Sequence, residues 1–225
     1  MTAFPWPDGQ DTPDETADAL SLRGEIYSKQ GGLLRLQRDM QENPASNQRS
    51  TMERFYWLVE DALAGCSRPG GTDRHSAGRF GGADGQAQSD ALLEKLDEDL
   101  AWLKQQGVGA VLSLTETPLL EAALAEHKLE SLHMPVDDFH APTPEQLMRA
   151  LEFIDWQRAQ SRGVAVHCLM GQGRTGTVLA AYLIRAGSSA EAAIQQLRAI
   201  CPGAIGSQVQ ERALEDFARR RDWIV

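Results

Sequence analysis

Apolar and polar positions divide the chain near residue 54. Residues 1–50 are rich in Asp, Pro, Gly, Gln and Asn, carry only short apolar patches such as Leu33-Leu34, and keep no period. That pattern predicts a polar, acidic, partly disordered N-terminal extension. Beyond it the periods become regular. Phe55-Tyr56-Trp57-Leu58-Val59 is aromatic and β-branched and predicts a strand, with a second short one at Leu63–Cys66. Residues 67–89 are polar and Gly-rich, a loop long enough to be functional. Leu92, Leu93, Leu96, Leu100 and Leu103 then recur at helical spacing between a Ser89 or Asp90 cap and a Gly107 stop, predicting a helix over 90–106.

The apolar run Val108–Leu114 predicts a strand covered on both faces. A short helix over 117–126, a strand over 129–136, and a helix over 145–161 carrying Leu147, Leu151, Ile154 and Trp156 follow. Val164–His167 is the last strand, and helices are expected at 174–186, 189–200 and 207–222. Strands alternating with helices predict an α/β fold: a central, mostly parallel sheet of four or five strands with helices on both faces.

Composition narrows the functional classes. A chain of 225 residues, 42% of them hydrophobic, suits one sizeable core with an appendage. Its net charge of −10 works against nucleic acid or an anionic membrane as the main partner. No long apolar run is present, and the acidic start lacks the basic and apolar regions of a secretory signal, so a soluble, cytoplasmic protein is expected. Cys66, Cys168 and Cys201 are odd in number and widely spaced, forming neither a disulfide framework nor a zinc pattern. A reducing compartment fits, and no metal or organic cofactor is implied.

The stretch His167-Cys168-Leu169-Met170-Gly171-Gln172-Gly173-Arg174-Thr175-Gly176-Thr177 runs from a strand end through a loop into a helix start. Backbone N–H groups in such a loop face one point, and the helix dipole adds partial positive charge there, so Leu169, Met170, Gly171, Gln172 and Gly173 can cradle a phosphate. Cys168 opens the loop, where that field favours its thiolate. Arg174 returns after five residues, and its planar fork suits two oxygens of a transferring phosphoryl group. The Thr175 hydroxyl is placed to donate to the sulfur. His167 is expected to lock the loop through its ring, pointing away from Cys168 as a sequence neighbour does on a strand.

His-Cys, five residues and Arg-Thr-Gly resemble the signature of the cysteine-based protein tyrosine phosphatases, in their small atypical dual-specificity branch. Leu112-Ser113-Leu114-Thr115-Glu116, the turn Pro135 to Pro142, and Cys201-Pro202-Gly203-Ala204-Ile205 through Gln210-Glu211 resemble that branch in order and spacing. The resemblance covers residues 54–225 and implies a catalytic domain there. It implies hydrolysis of phosphotyrosine and of phosphoserine or phosphothreonine in a phosphorylated protein or peptide, through a phosphocysteine intermediate. It places the general acid at Asp138, with Asp137 as the fallback, and matches Gln210 to a water-orienting position against the alternative of a helix-surface Gln. No Asn-Arg-Tyr segment of the deep-pocket enzymes is recognisable, so a shallow site is expected.

Other readings compete. A phosphoinositide or other small phosphomonoester substrate is disfavoured by a loop without Lys, and a phosphate-docking module without turnover by the retention of Cys168, Arg174 and Asp138. Gly171 to Gly176 fits the dinucleotide fingerprint G-x-G-x-x-G, but the chain continues as helices and Glu191 falls on one of them. Cys66 at a strand terminus is a candidate partner for Cys168 in a protective disulfide. Cys201 is expected to pack, and Trp102 and Trp156 to serve as buried or semi-buried anchors. His127 is expected to face solvent, and His133 and His140 have no metal-ligand spacing. Arg68, Arg74 and Arg79 are solvated loop residues or substrate contacts.

Overall fold

The computed structural model describes residues 52–71 and 83–221, and for 83–88 and 221 the backbone alone. The extension at 1–50, Arg74 and Arg79 lie outside the described residues. Five strands form one sheet: β1 Phe55–Val59, β2 Leu63–Cys66, β3 Val108–Ser113, β4 Glu130–His133 and β5 Gly163–His167, in the order β1-β2-β5-β3-β4. Among the described residues only β1 and β2, joined by a tight turn at Glu60–Ala62, pair antiparallel. The pairs β2·β5, β5·β3 and β3·β4 are parallel, so the expected mostly parallel α/β sheet is what forms.

Both faces of the sheet are covered. Leu96, Leu100, Trp102 and Leu103 of α1 (Ala83–Gln105) pack with Val111, Ala165 and Cys66, and Leu124 of α2 (Glu121–Glu126) joins the same cluster. On the strand period, Leu112 and Val166 face the other way. There α3 (Pro144–Ala159) and α4 (Gly173–Arg185) lie against β5, with α3 also on β3 and α4 on β2. Burial on both sides explains why every residue of β3 and β5 is buried and why these strands read as apolar runs. A Leu buried this fully contributes about 1.5–3 kcal/mol. Helices α5 (Ala190–Ile200) and α6 (Gln208–Arg221) pack on α4.

Several boundaries move for local reasons. Helix α1 begins at Ala83, earlier than Asp90, because Ala and Gln at 83–88 favour helix enough to carry Gly85. Helix α2 begins only at Glu121, since Pro118 keeps the preceding residue extended. Strand β4 stops at His133. Helix α3 starts at Pro144 behind Thr143, whose hydroxyl accepts from Gln146 N while the Gln146 side chain accepts from Thr143 N. This capping box fixes the chain direction just after the Asp137–Pro142 turn. His127 is mostly covered and meets Asp97 Oδ1 at 2.6 Å, which corrects the expectation of a solvent-facing ring: the α2 C-terminus turns toward α1.

Candidate active site

Residues 168–172 link β5 to α4, and their carbonyls are held from outside the loop. Cys168 O meets His167 Nδ1 at 3.2 Å, and Leu169 O accepts from Arg68 N at 3.0 Å. Met170 O accepts from Arg54 Nη1. Gly171 O accepts from Tyr56 Oη at 2.9 Å and from Cys201 Sγ at 3.8 Å. Gln172 O accepts from Gly176 N at 2.8 Å, the first bond of α4. In a trans peptide the N–H points opposite to the carbonyl. The N–H groups of Leu169 through Gly173 are therefore turned to the inner side of the loop, beside the positive end of α4.

Glycine is required at one point of this cradle and closely packed at another. Gly171 has φ +69°, and a Cβ there would lie 2.5 Å from the Cys66 backbone C and O. A Cβ on Gly173 would lie 2.9 Å from Gln210 Nε2, so this glycine lets Gln210 sit against the start of α4.

Arg174 is buried, with 2% of its side chain exposed. Its Nη1 donates to Val136 O at 2.7 Å and lies 3.1 Å from Glu116 Oε2, while Nη2 lies 3.0 Å from Asp138 Oδ1. The structure therefore brings Asp138 onto the arginine. Its turn is held on all sides: Glu116 Oε1 accepts from Asp138 N at 3.0 Å, Ser207 Oγ donates to Phe139 O at 3.0 Å, and Gln210 Nε2 donates to His140 O at 3.1 Å. Gln146 Nε2 adds a bond to Pro135 O at 3.0 Å. Phe139 is held at φ +62° with its ring 75% exposed, a costly conformation for an aromatic residue that these anchors maintain.

The remaining site residues fall as follows. Cys168, the first residue of the loop, is 3% exposed. The Thr175 hydroxyl is buried without a hydrogen-bond partner among the described residues, so the expected bond to the sulfur is not made in this structure. A helical Thr normally bonds the carbonyl four residues back, as Thr177 Oγ1 does to Gly173 O at 2.9 Å. For Thr175 that carbonyl is Gly171 O, already taken by Tyr56 and Cys201, and the hydroxyl stays uncommitted. His167 is fully buried. The carbonyl it meets can only accept, so Nδ1 carries the proton and Nε2 is a bare acceptor without a partner among the described residues. Burial pushes its pKa down to about 3 despite the Cys168 carbonyl, and the ring is neutral at physiological pH.

Gln210 is 2% exposed rather than a helix-surface residue, and its Oε1 is buried without a partner among the described residues. Cys66 belongs to the α1-face cluster and pairs in register with His167; burial pushes its thiol up, and the neighbouring Cys168 adds to this. The Arg68 guanidinium lies 3.4 Å from Thr117 O and 3.4 Å from Pro118 O, bracing the loop after β3. Among the described residues no group of three His, Cys, Asp or Glu is arranged to hold a metal ion. Sequence reasoning assigned no task to Glu116, Tyr56, Arg54 or Ser207. The partners that draw them into the site lie 22 to 116 positions away in the chain, beyond any local motif.

Cys168 and Arg174 thus stand at the two ends of one carbonyl-anchored segment between β5 and α4, and the chain that carries them is similar to known phosphatases. The family model described as "Polymorphic toxin system, DSP-PTPase phosphatase" matches residues 86–188. Protein tyrosine phosphatase type IVA 2 of Mus musculus is 31% identical over 123 residues, 53% of this chain and 71% of that protein. Phosphatidylglycerophosphate phosphatase PTPMT2 of Arabidopsis thaliana is 32% identical over 127 residues, 54% of this chain and 56% of that protein. The crystal structure of Tk-PTP in the active form matches with a TM-score of 0.52 at 32% identity, over 55% of this chain and 86% of that one. The chain belongs to the cysteine-based protein tyrosine phosphatase superfamily. It spans between 37% and 63% of the length of the first three curated relatives it matches.

Proposed function

We propose that this chain is a phosphoprotein phosphatase that hydrolyses phosphotyrosine, and phosphoserine or phosphothreonine, through a phosphocysteine on Cys168, without a metal or organic cofactor, and that residues 54–225 are its catalytic domain. The observation that carries this reading is the loop whose carbonyls are all bonded outward, opened by the buried Cys168 and followed by Arg174, which is held 3.0 Å from Asp138. In the first step the Cys168 sulfur attacks phosphorus in line. The P–O bond to the leaving group breaks, and Asp138 gives that oxygen a proton. The loop N–H groups and Arg174 stabilise the charge on the three equatorial oxygens. In the second step Asp138 takes a proton from a water that attacks the phosphocysteine, releasing phosphate and the thiolate. Gln210 Oε1 is the acceptor that orients this water, and Thr175 donates to the departing sulfur.

A second reading keeps the same chemistry with a small or lipid phosphomonoester as substrate. It is favoured by the relative named as a phosphatidylglycerophosphate phosphatase. No helix among the described residues is long and apolar enough to cross a membrane. The proposed reducing, cytoplasmic setting rests on three free thiols.

Turnover of an aryl phosphate with chelator present tests the proposal. Wild type should be active, Cys168→Ser inactive, and Arg174→Lys and Asp138→Asn reduced by roughly 100-fold or more. Full activity of Cys168→Ser, or strict dependence on added divalent metal, would reject it. A panel of phosphopeptides and of vesicles containing phosphatidylglycerophosphate separates the two substrate readings.

A further inference from the structure

The loop between α5 and α6 grips both halves of the proposed chemistry. Gln172 Nε2 donates to Pro202 O at 2.7 Å, and Cys201 Sγ lies 3.8 Å from Gly171 O, so the first residues of this loop are fastened to the phosphate loop. Its last residue, Ser207, is fastened to the Asp138 turn. The Ser207 hydroxyl donates its proton to Phe139 O at 3.0 Å and accepts from Gln210 N at 3.3 Å, while Ser207 O accepts from Glu211 N at 3.2 Å as α6 begins. The accepting half of this arrangement caps the helix, and an Asp would cap it as well. What a hydroxyl adds is the donating half, and that half reaches the peptide next to Asp138.

The Phe139 peptide in turn sets the carboxylate. At φ +62° Phe139 directs its N–H onto Asp138 Oδ1 at 3.1 Å, and Arg174 Nη2 lies 3.0 Å from the same oxygen. Asp138 Oδ2 has no partner among the described residues, so Oδ1 takes the donors and Oδ2 is the oxygen left to carry a proton. We propose that Ser207 is a positioning residue for the general acid, an inference that rests on the roles given above to Cys168 and Asp138. By holding Phe139 O, Ser207 keeps the Phe139 N–H on Oδ1 and Oδ2 turned toward the leaving oxygen. When the phosphoryl group occupies Arg174, that N–H is the donor that remains. Glu116 and Gln210 hold the flanking Asp138 N and His140 O, so loss of Ser207 leaves the turn in place and frees the Phe139 peptide alone. An aromatic residue at positive φ then relaxes toward its preferred regions, and the carboxylate loses the alignment on which proton transfer depends.

The test compares two substrates on the full chain: phenyl phosphate, whose leaving group needs a proton, and an aryl phosphate of a strongly acidic phenol, whose leaving group does not. Ser207→Asp keeps the cap acceptor and loses the donor, and Ser207→Gly loses the donor without adding a charge. Both should lower kcat/KM about tenfold more on phenyl phosphate than on the activated ester, while Ser207→Asp unfolds in urea at the wild-type midpoint. Ser207→Thr keeps donor and acceptor and should restore the wild-type ratio between the two substrates. In an Asp138→Asn background the contrast caused by Ser207→Asp should vanish. Equal losses on both substrates, or none, would overturn the role and leave Ser207 as a helix cap. A contrast in Ser207→Asp that Ser207→Gly lacks would overturn it too, as an effect of the added charge. An inactive wild type, or a fully active Cys168→Ser, would instead remove the phosphatase reading on which the inference stands.

Discussion

The Tyr56 hydroxyl donates to Gly171 O at 2.9 Å across 115 residues of chain, fixing the middle of the phosphate loop from the edge strand of the sheet. Tyr56 is half-buried, and burial, with the thiols of Cys201, Cys168 and Cys66 around it, pushes its pKa well above the usual phenol range, so the hydroxyl stays a donor. Tyr56→Phe should cost about 1 kcal/mol of unfolding free energy, read by urea denaturation. It should also raise KM for an aryl phosphate several-fold with a smaller change in kcat, because the cradle loosens.

Gly171→Ala is expected to be more severe. The added Cβ meets backbone atoms of Cys66 that cannot move aside, and φ +69° is unfavourable for alanine. Phosphate affinity, measured by competitive inhibition, should fall at least tenfold. A variant that binds phosphate like wild type would show that the loop does not form the cradle described.

His167 gives the protein a defined pH dependence. Its folded pKa of about 3 lies below the ordinary value of about 6.5, so below pH 6.5 the unfolded chain binds a proton that the folded one refuses. Stability is unaffected by this group above pH 6.5 and is lost as pH falls from there toward 3, by at most ~1.4 kcal/mol per pH unit. Wild type should therefore lose more stability between pH 7 and pH 5 than His167→Asn, as measured by denaturant unfolding at both values. Equal losses would mean that the imidazole is not buried neutral.

Gln210 Oε1 is buried without a partner among the described residues, and the proposed mechanism assigns it the attacking water. Gln210→Ala should slow the second chemical step about tenfold. With an activated aryl phosphate, pre-steady-state kinetics should then show a burst of phenol followed by a slower steady rate. Loss of the burst together with a fall in the first step would indicate that Gln210 acts mainly by holding His140 O.

These residues also mark how far the sequence could be read. The strands, the parallel sheet and the Cys168–Arg174 loop follow from local patterns: apolar runs for strands covered on both faces, and glycines beside a helix start for the cradle. Asp138 was named through the resemblance of its turn, and the structure places it 3.0 Å from Arg174, a contact no local pattern gives. Tyr56, by contrast, reads only as a strand-forming aromatic, and Arg54 only as the residue before that strand. Their tasks arise once β1 and β2 bring them beside the loop after β5, a parallel pairing that no local pattern encodes. Glu116 was visible within a resembling segment, but its two oxygens acquire meaning only when the Asp138 turn and Arg174 converge on it.

The central claim is that phosphorus passes through the sulfur of Cys168. Rapid acid quench of Asp138→Asn with an activated aryl phosphate, followed by peptide mass spectrometry, tests this most directly, since the variant can still be phosphorylated by a good leaving group but hydrolyses the adduct slowly. One phosphoryl group on the peptide containing Cys168, absent in Cys168→Ser, is the expected result. Continued turnover with no protein-bound phosphate at any quench time would contradict it.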